Sequence, residues 1–194
     1  MLLKNLTGKK IILGSASPRR RELLAGLDLE FTVDTQTNFT EAFSPGMPHS
    51  AVTEYLAKGK SLGFHRELRD NEILITADTM VLCGEKILGK PKDKAGAARM
   101  LGLLQGNTHT VLTGVCIRDN AKMKSFTAST KVAFGPLSAE EIEYYLEKYK
   151  PYDKAGSYGV QEWIGYVGIS GIEGSYYNVM GLPVQRLYRE LEQF

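Results

Sequence analysis

Three groups of residues in this sequence have the types and spacing to do chemistry: a serine and arginines behind a short apolar run, one carboxylate inside an apolar strand, and lysines that could reach it. In the first group, Ser15-Ala16-Ser17-Pro18-Arg19-Arg20-Arg21 follows Lys10-Ile11-Ile12-Leu13-Gly14. Ser17 can cap a helix whose first position is Pro18, where a missing N–H costs nothing. Free backbone N–H groups and the positive dipole end at such a terminus attract phosphate or carboxylate. Each arginine there is unfavourable against the dipole by roughly 0.3 to 1 kcal/mol, a cost that a bound anion relieves. Arg20 precedes Leu23, Leu24 and Leu27 by helical spacing, which places it at the top of the apolar stripe and points it inward. The competing reading leaves all three arginines in solvent above an ordinary amphipathic helix.

The carboxylate is Asp78, in the middle of Ile73-Leu74-Ile75-Thr76-Ala77-Asp78-Thr79-Met80-Val81-Leu82-Cys83. A run apolar at nearly every position must be covered on both faces, and an acid within it requires a partner cation, hydrogen bonds or a metal. Asp78 is therefore either a functional group or a satisfied structural one. Two lysines are candidates to reach it. Lys60 continues the row of Val52 and Leu56 on a helix, about 40° round from Leu56, whereas Lys58 lies about 200° away. Lys60 is thus the one that faces inward, unless both coat a solvated helix. Lys90 is brought in by the turn Gly84-Glu85: pairing backwards from Cys83 and Lys86 sets Thr79 beside Lys90, provided that Gly89 and Pro91 do not end the pairing early.

The elements that must hold these groups follow from periodicity. Short strands are expected at Lys10–Leu13 and Glu30–Val33, then a polar loop from Asp34 to His49 in which Glu41 is the one acid after Asp34. A helix over Ser50–His65 precedes the Asp78 strand. A scaffold helix spans Asp93–Leu104, and Thr108–Ile117 and Ser125–Phe134 form a long hairpin through Asp119-Asn120. Ser138-Ala139-Glu140-Glu141 is a capping box, and Pro183–Glu192 carries a final apolar stripe. Between these helices lie two polar loops, Asp153–Gln161 and Glu173–Asn178. They either let a ligand approach the backbone or simply connect strands tightly. His109 has no second histidine or cysteine at ligand spacing and reads as structural.

The bulk numbers exclude more than they assign. A chain of 194 residues buries a sizeable core without staples, and a formal net charge of +2 implies neither a nucleic-acid nor a membrane surface. Its two cysteines, Cys83 and Cys116, read as buried thiols in a reducing compartment. No signal-peptide core and no long apolar run are found, so a cytoplasmic protein is expected. Neither an internal repeat nor a long linker divides the chain.

Taken together, Ser15-Ala16-Ser17-Pro18-Arg19-Arg20, Ala77-Asp78-Thr79, Gly89-Lys90-Pro91, Gly106-Asn107-Thr108-His109-Thr110-Val111, Asp153-Lys154-Ala155-Gly156-Ser157-Tyr158-Gly159-Val160-Gln161 and Gly174-Ser175-Tyr176-Tyr177-Asn178-Val179-Met180-Gly181-Leu182-Pro183 closely resemble the Maf family of nucleoside triphosphate pyrophosphatases. The match runs in order through nearly the whole chain. It implies one α/β domain, residues 1–194, with an elongated mixed β-sheet and flanking helices in two lobes around a central cleft. That architecture is like that of inosine triphosphate pyrophosphatases, usually as a homodimer. The implied reaction cleaves a nucleoside triphosphate between its α and β phosphorus atoms with a divalent cation, Mg²⁺ or Mn²⁺.

By the same resemblance Asp78 takes the position of the catalytic base, and Ser15, Arg20, Lys60 and Lys90 match phosphate-contacting positions. Asp78 beside a metal could ligate it as well. Family members often have adjacent acids after the second strand, whereas Asn38-Phe39-Thr40-Glu41 offers Glu41 alone, displaced by about one residue. Arg19, Thr79 and Gln161 resemble the set carried by members that prefer dTTP and UTP. An amide at Gln161 suits a pyrimidine edge, since it both donates and accepts. Three functions follow as alternatives: a dTTP/UTP pyrophosphatase, the same enzyme acting chiefly on modified pyrimidine nucleotides, or a nucleotide- or partner-binding regulator of cell division with little catalysis.

Overall fold

The apolar runs of the sequence become one seven-stranded mixed sheet, flanked by helices, in a computed structural model that describes residues 3–194. Its main path runs β2-β1-β3-β5-β6-β7, with β4 paired to β3. The strands are β1 (Lys10–Leu13), β2 (Phe31–Val33), β3 (Glu72–Cys83), β4 (Lys86–Leu88), β5 (Thr108–Arg118), β6 (Met123–Phe134) and β7 (Ile169–Glu173). The principal helices are α1 (Pro18–Ala25), α2 (His49–Leu62), α3 (Lys94–Leu104), α4 (Ala139–Tyr149), α5 (Trp163–Gly168), α6 (Tyr176–Met180) and α7 (Val184–Glu192).

Strand β1 pairs in parallel with both β2 and β3, matching Ile11 with Phe31 and Ile73. Covered by two parallel neighbours, β1 has to be apolar, and Ile11, Ile12 and Leu13 are buried. Strands β3 and β4 form the hairpin expected from Gly84-Glu85, with Cys83 opposite Lys86 and Val81 opposite Leu88. Gly84 adopts φ 57°, as a glycine-first hairpin turn requires.

The fold divides into two compact units, each assembled from separate stretches of chain. The first comprises residues 3–78, Thr113–Ala128 and Gly181–Phe194. Its core includes Ile12, Phe64, Leu68 and Leu74, together with Leu24, Val52, Leu187 and Leu191. Helix α2 lies close on β5, because a Cβ on Gly114 would stand 2.2 Å from the backbone of Thr53. The second unit comprises Thr79–Leu112 and Ser129–Met180. It buries Leu101 and Leu104 of α3 and Tyr145 and Leu146 of α4, and packs His109 against Phe134 and Tyr158.

Several expected helix ends are met by their caps. Ser17 caps α1 with Pro18 in the first turn, and Ser138 and Glu141 close the capping box of α4. Asp93, expected inside the first turn of α3, is instead its cap and accepts from the Gly96 N–H. Helix α2 stops at Leu62, short of His65, because Gly63 ends it. The polar loop expected over Glu173–Asn178 is the end of β7 followed by α6, and α5 was not anticipated. Helices of five or six residues are too short to display a 3.6-residue period.

Cys116 is buried, but Cys83 is half-exposed at the end of β3, where burial fades toward the turn; both are free thiols. Among the described residues, no helix is long and apolar enough to cross a membrane. His109 is structural, as its isolation in the sequence suggests. Its Nε2 lies 2.6 Å from the Tyr158 hydroxyl, and its buried Nδ1 meets no acceptor among the described residues.

Burial pushes the His109 imidazole down to about 4. An unfolded histidine titrates near 6.5, so as pH falls the unfolded chain takes up this proton first. The stability held by neutral His109 is complete above that value and is lost between it and about 4. We expect unfolding free energy to fall by about 1.4 kcal/mol per pH unit across this window, read as urea midpoints at stepped pH. In His109→Gln the slope should flatten; an unchanged slope would remove His109 as the cause.

Candidate active site

The first unit assembles its polar group from four segments of chain. Where β1 ends, Gly14 donates to the Ile75 carbonyl at 2.8 Å, which carries the following turn alongside β3. Ser15 Oγ then accepts from the Ser17 N–H at 3.3 Å and from Arg20 Nη1 at 3.2 Å. Arg20 also donates from Nη1 to the Ala77 carbonyl and from Nε to the Gly181 carbonyl, both at 2.8 Å.

Arg20 thus faces inward, as its place on the stripe predicts, and braces the β1–α1 turn, β3 and the approach to α7. Desolvation lowers its pKa from the ordinary arginine range, and the neighbouring Asp78 charge opposes that shift. Arg21 is exposed, whereas Arg19 is half-buried.

Helix α2 supplies the second segment. Lys60 Nζ lies 2.6 Å from Asp78 Oδ1, and both side chains are largely buried. Lys58, on the other side of the helix, pairs with Glu54 at 3.0 Å. The helical angle read from the sequence therefore separates the two lysines correctly. Asp78 follows six buried residues on β3, and its partner is a cation, which resolves the cost of a carboxylate at that place.

The same ammonium lies 3.1 Å from Glu41 Oε1. Glu41 stands in a loop without regular structure, and its position comes from a seat two residues earlier. The Phe39 ring lies over Gly59 of α2 so closely that a Cβ there would be 2.2 Å from the ring. It meets Tyr55 edge-on, and the Asn38 N–H donates to the Gly63 carbonyl at 2.7 Å. At the start of this loop Asp34 Oδ2 is 2.9 Å from His65 Nε2, a hydrogen bond that lowers the Asp34 pKa. Sequence reading missed Phe39. The available signal was an aromatic residue in a polar loop, with glycines at 59 and 63 to receive it.

The second unit carries the remaining predicted residues. Thr79 continues β3 and is half-buried. The β3–β4 ladder ends at Leu88, so the pairing expected to set Thr79 beside Lys90 is not made. Gly89 and Pro91 interrupt it, since proline lacks the N–H that a ladder needs. Lys90 is exposed in the segment that follows, whose Gly89 carbonyl accepts from the Gly156 N–H at 3.1 Å. The lysine in contact with the acid is Lys60.

Gln161 is half-buried, and its Oε1 is shielded from solvent with no hydrogen-bond partner among the described residues. Before it, Lys154 is buried and pairs with Asp153 at 2.9 Å and Glu162 at 3.1 Å. Asn178, in the second segment expected to be a polar loop, is fully buried and donates to the Val111 carbonyl and to Thr130 Oγ1. It closes structure rather than lining a site.

Two carboxylates around one ammonium, a braced arginine and a serine hydroxyl can neutralise and position a polyanion and orient a water molecule. Among the described residues, no three His, Cys, Asp or Glu side chains stand together as a metal site. Asp78 and Glu41 are the carboxylates of this group that could contribute oxygens to a cation.

The Maf-like protein family model matches residues 10–194. A protein of Porphyromonas gingivalis named dTTP/UTP pyrophosphatase is 52% identical over 195 residues, covering 100% of this chain and 98% of the relative. One of the same name from Parabacteroides distasonis is 48% identical, with 100% of both chains covered. A third, from Flavobacterium psychrophilum, is also 48% identical and covers 97% of this chain and 96% of its own. Among solved structures, a HAM1 protein from Coxiella burnetii aligns over 96% of this chain and 100% of its own at 11% identity. Its TM-score is 0.48. With the family model matched from β1 to the last residue and full-length relatives at about half identity, the chain belongs to the Maf family.

Proposed function

We propose that this protein is a nucleoside triphosphate pyrophosphatase that hydrolyses dTTP and UTP between the α and β phosphorus atoms, yielding the monophosphate and pyrophosphate. The observation that carries this reading is Lys60 Nζ, held 2.6 Å from Asp78 and 3.1 Å from Glu41. The names of the full-length relatives support the same substrates.

Asp78 is the group to orient and deprotonate the attacking water, since it is the carboxylate fixed on the rigid strand. Lys60 holds that carboxylate in place and offers positive charge to the phosphates. Ser15, through its hydroxyl, and Arg20, through its charge, are assigned to the phosphates with Lys90. Positioning and charge neutralisation carry most of the barrier reduction in phosphoryl transfer, and these are what a braced, partly buried set provides. Asp78 and Glu41, whose oxygens both reach the Lys60 ammonium, would hold a divalent cation, and Mg²⁺ or Mn²⁺ held there would polarise the α-phosphate. A cytoplasmic setting, with which the two free thiols agree, and a homodimer, which the family resemblance implies, belong to the same reading.

Base choice is assigned to Gln161, with Arg19 and Thr79 as accompanying positions. Uracil and thymine carry an N3–H donor where cytosine has an acceptor. A shielded, unpartnered Gln161 Oε1 calls for such a donor, because leaving it unmet costs about 1–3 kcal/mol.

Purified protein with Mg²⁺ or Mn²⁺ should release pyrophosphate and dTMP or UMP from a nucleotide panel that includes 5-methyl-UTP and pseudo-UTP. No turnover of any member would defeat the enzymatic reading. Asp78→Asn keeps the side-chain shape, so it should retain the fold at lowered stability and lose about 10²- to 10⁴-fold in turnover; near-parental rates would take Asp78 out of the mechanism. Gln161→Ala should lower the preference for UTP over CTP by about tenfold to a hundredfold. An equal loss for both nucleotides would instead assign Gln161 to structure.

A further inference from the structure

Gln161 is the one residue of its segment whose side chain carries an unpartnered shielded acceptor, while the residues on both sides of it are fixed. Buried Tyr145 of α4 donates its hydroxyl proton to Glu162 Oε2, and the Tyr145 hydroxyl oxygen accepts from the Gly159 N–H at 3.0 Å. The other oxygen of Glu162 pairs with buried Lys154 at 3.1 Å. The Glu162 N–H donates to the Gly159 carbonyl at 3.0 Å, which closes the turn containing Val160 and Gln161. On the other side, the Val160 carbonyl lies so close to Gly165 of α5 that a Cβ there would stand 1.9 Å from its oxygen.

We propose that Tyr145, Glu162 and Lys154 form a clamp that positions Gln161 for reading the pyrimidine, a role that rests on the base-recognition reading of Gln161 given above. Tyr145 reaches both ends of the turn through one atom, so a single hydroxyl sets the backbone that aims the amide. A recognition group is effective only when its supporting contacts hold it to within about 0.5 Å. Burial keeps the Tyr145 hydroxyl protonated far above neutral pH, so the donor to Glu162 does not fail under working conditions. Gly159 completes the device, since a Cβ there would meet the Glu162 carboxyl carbon at 2.7 Å. These three are positioning residues and need touch no substrate.

Tyr145→Phe removes one oxygen and keeps the ring that stacks on Tyr149 at 5.1 Å. Steady-state kcat/KM would be measured for UTP and CTP in the parent, Tyr145→Phe, Gln161→Ala and the double variant, with melting temperature as the folding control. We expect Tyr145→Phe to lower the UTP to CTP ratio about tenfold, chiefly through KM for UTP, and to lower it no further in the Gln161→Ala background. Glu162→Gln keeps the side-chain volume and weakens the Lys154 pair, so it should lower the same ratio and serves if the tyrosine variant does not fold.

A parental ratio in these variants, or an equal loss with and without Gln161, would overturn the clamp while leaving base recognition by Gln161 standing. If Gln161→Ala itself keeps the parental ratio, base recognition by Gln161 fails, and the clamp with it.

Discussion

The ion pair between Lys60 and Asp78 is the constraint on which the first unit depends. Asp78 follows six buried residues of β3, and a carboxylate there needs a cation held at fixed distance. The requirement propagates outward. Lys60 can meet it only because α2 lies close against the sheet, and that closeness follows from Gly114 beneath Thr53 and from Thr76 Oγ1, which donates to the Ala57 carbonyl at 2.7 Å. A bulkier residue at 114 or a shifted helix would leave the acid without its partner. The ion pair and the packing of α2 are thus one problem with one solution.

The charged side chains of the first unit around this pair differ in how firmly they are held. Arg20 is tied to two backbone carbonyls and a serine, so its charge is preorganised and its loss would also loosen three chain segments. Glu41 is the most exposed member, on irregular chain, and depends on the seating of Phe39 over Gly59. On the second unit, the segment bearing Gln161 achieves rigidity differently, with a buried Tyr–Glu–Lys network in place of strand pairing. Buried polar networks of this kind specify a conformation when every member is satisfied.

Much of the site was legible because its signals are local. The cap at Ser17 and the spacing of Arg20 from Leu23 and Leu24 are properties of one helical turn, and both survive in the structure. The choice of Lys60 over Lys58 likewise needs nothing beyond 3.6 residues per turn. An acid inside an apolar run marks Asp78 without knowledge of its neighbours. Glu190 shows the opposite case. It lies near the end of an amphipathic helix, where a solvated face would be assumed, yet it is buried between Lys124 and Arg186, and no local pattern announces a partner 66 residues away.

Sequence alone therefore determined the longer strands and helices, the family resemblance and the inward-facing Arg20, Lys60 and Asp78, since hydrophobic period, caps and turn chemistry act over a few residues, while the short helices α5 and α6 escaped it. Only the tertiary structure decided what those side chains meet. It ended the β4 ladder before Lys90, gave Asp78 to Lys60, seated Phe39 so that Glu41 reaches the same ammonium, and bound Glu162 to Tyr145 behind Gln161. Each of these is a contact between segments distant in sequence, selected by packing and by the need to satisfy buried charge. Neither requirement has a period that the chain can display.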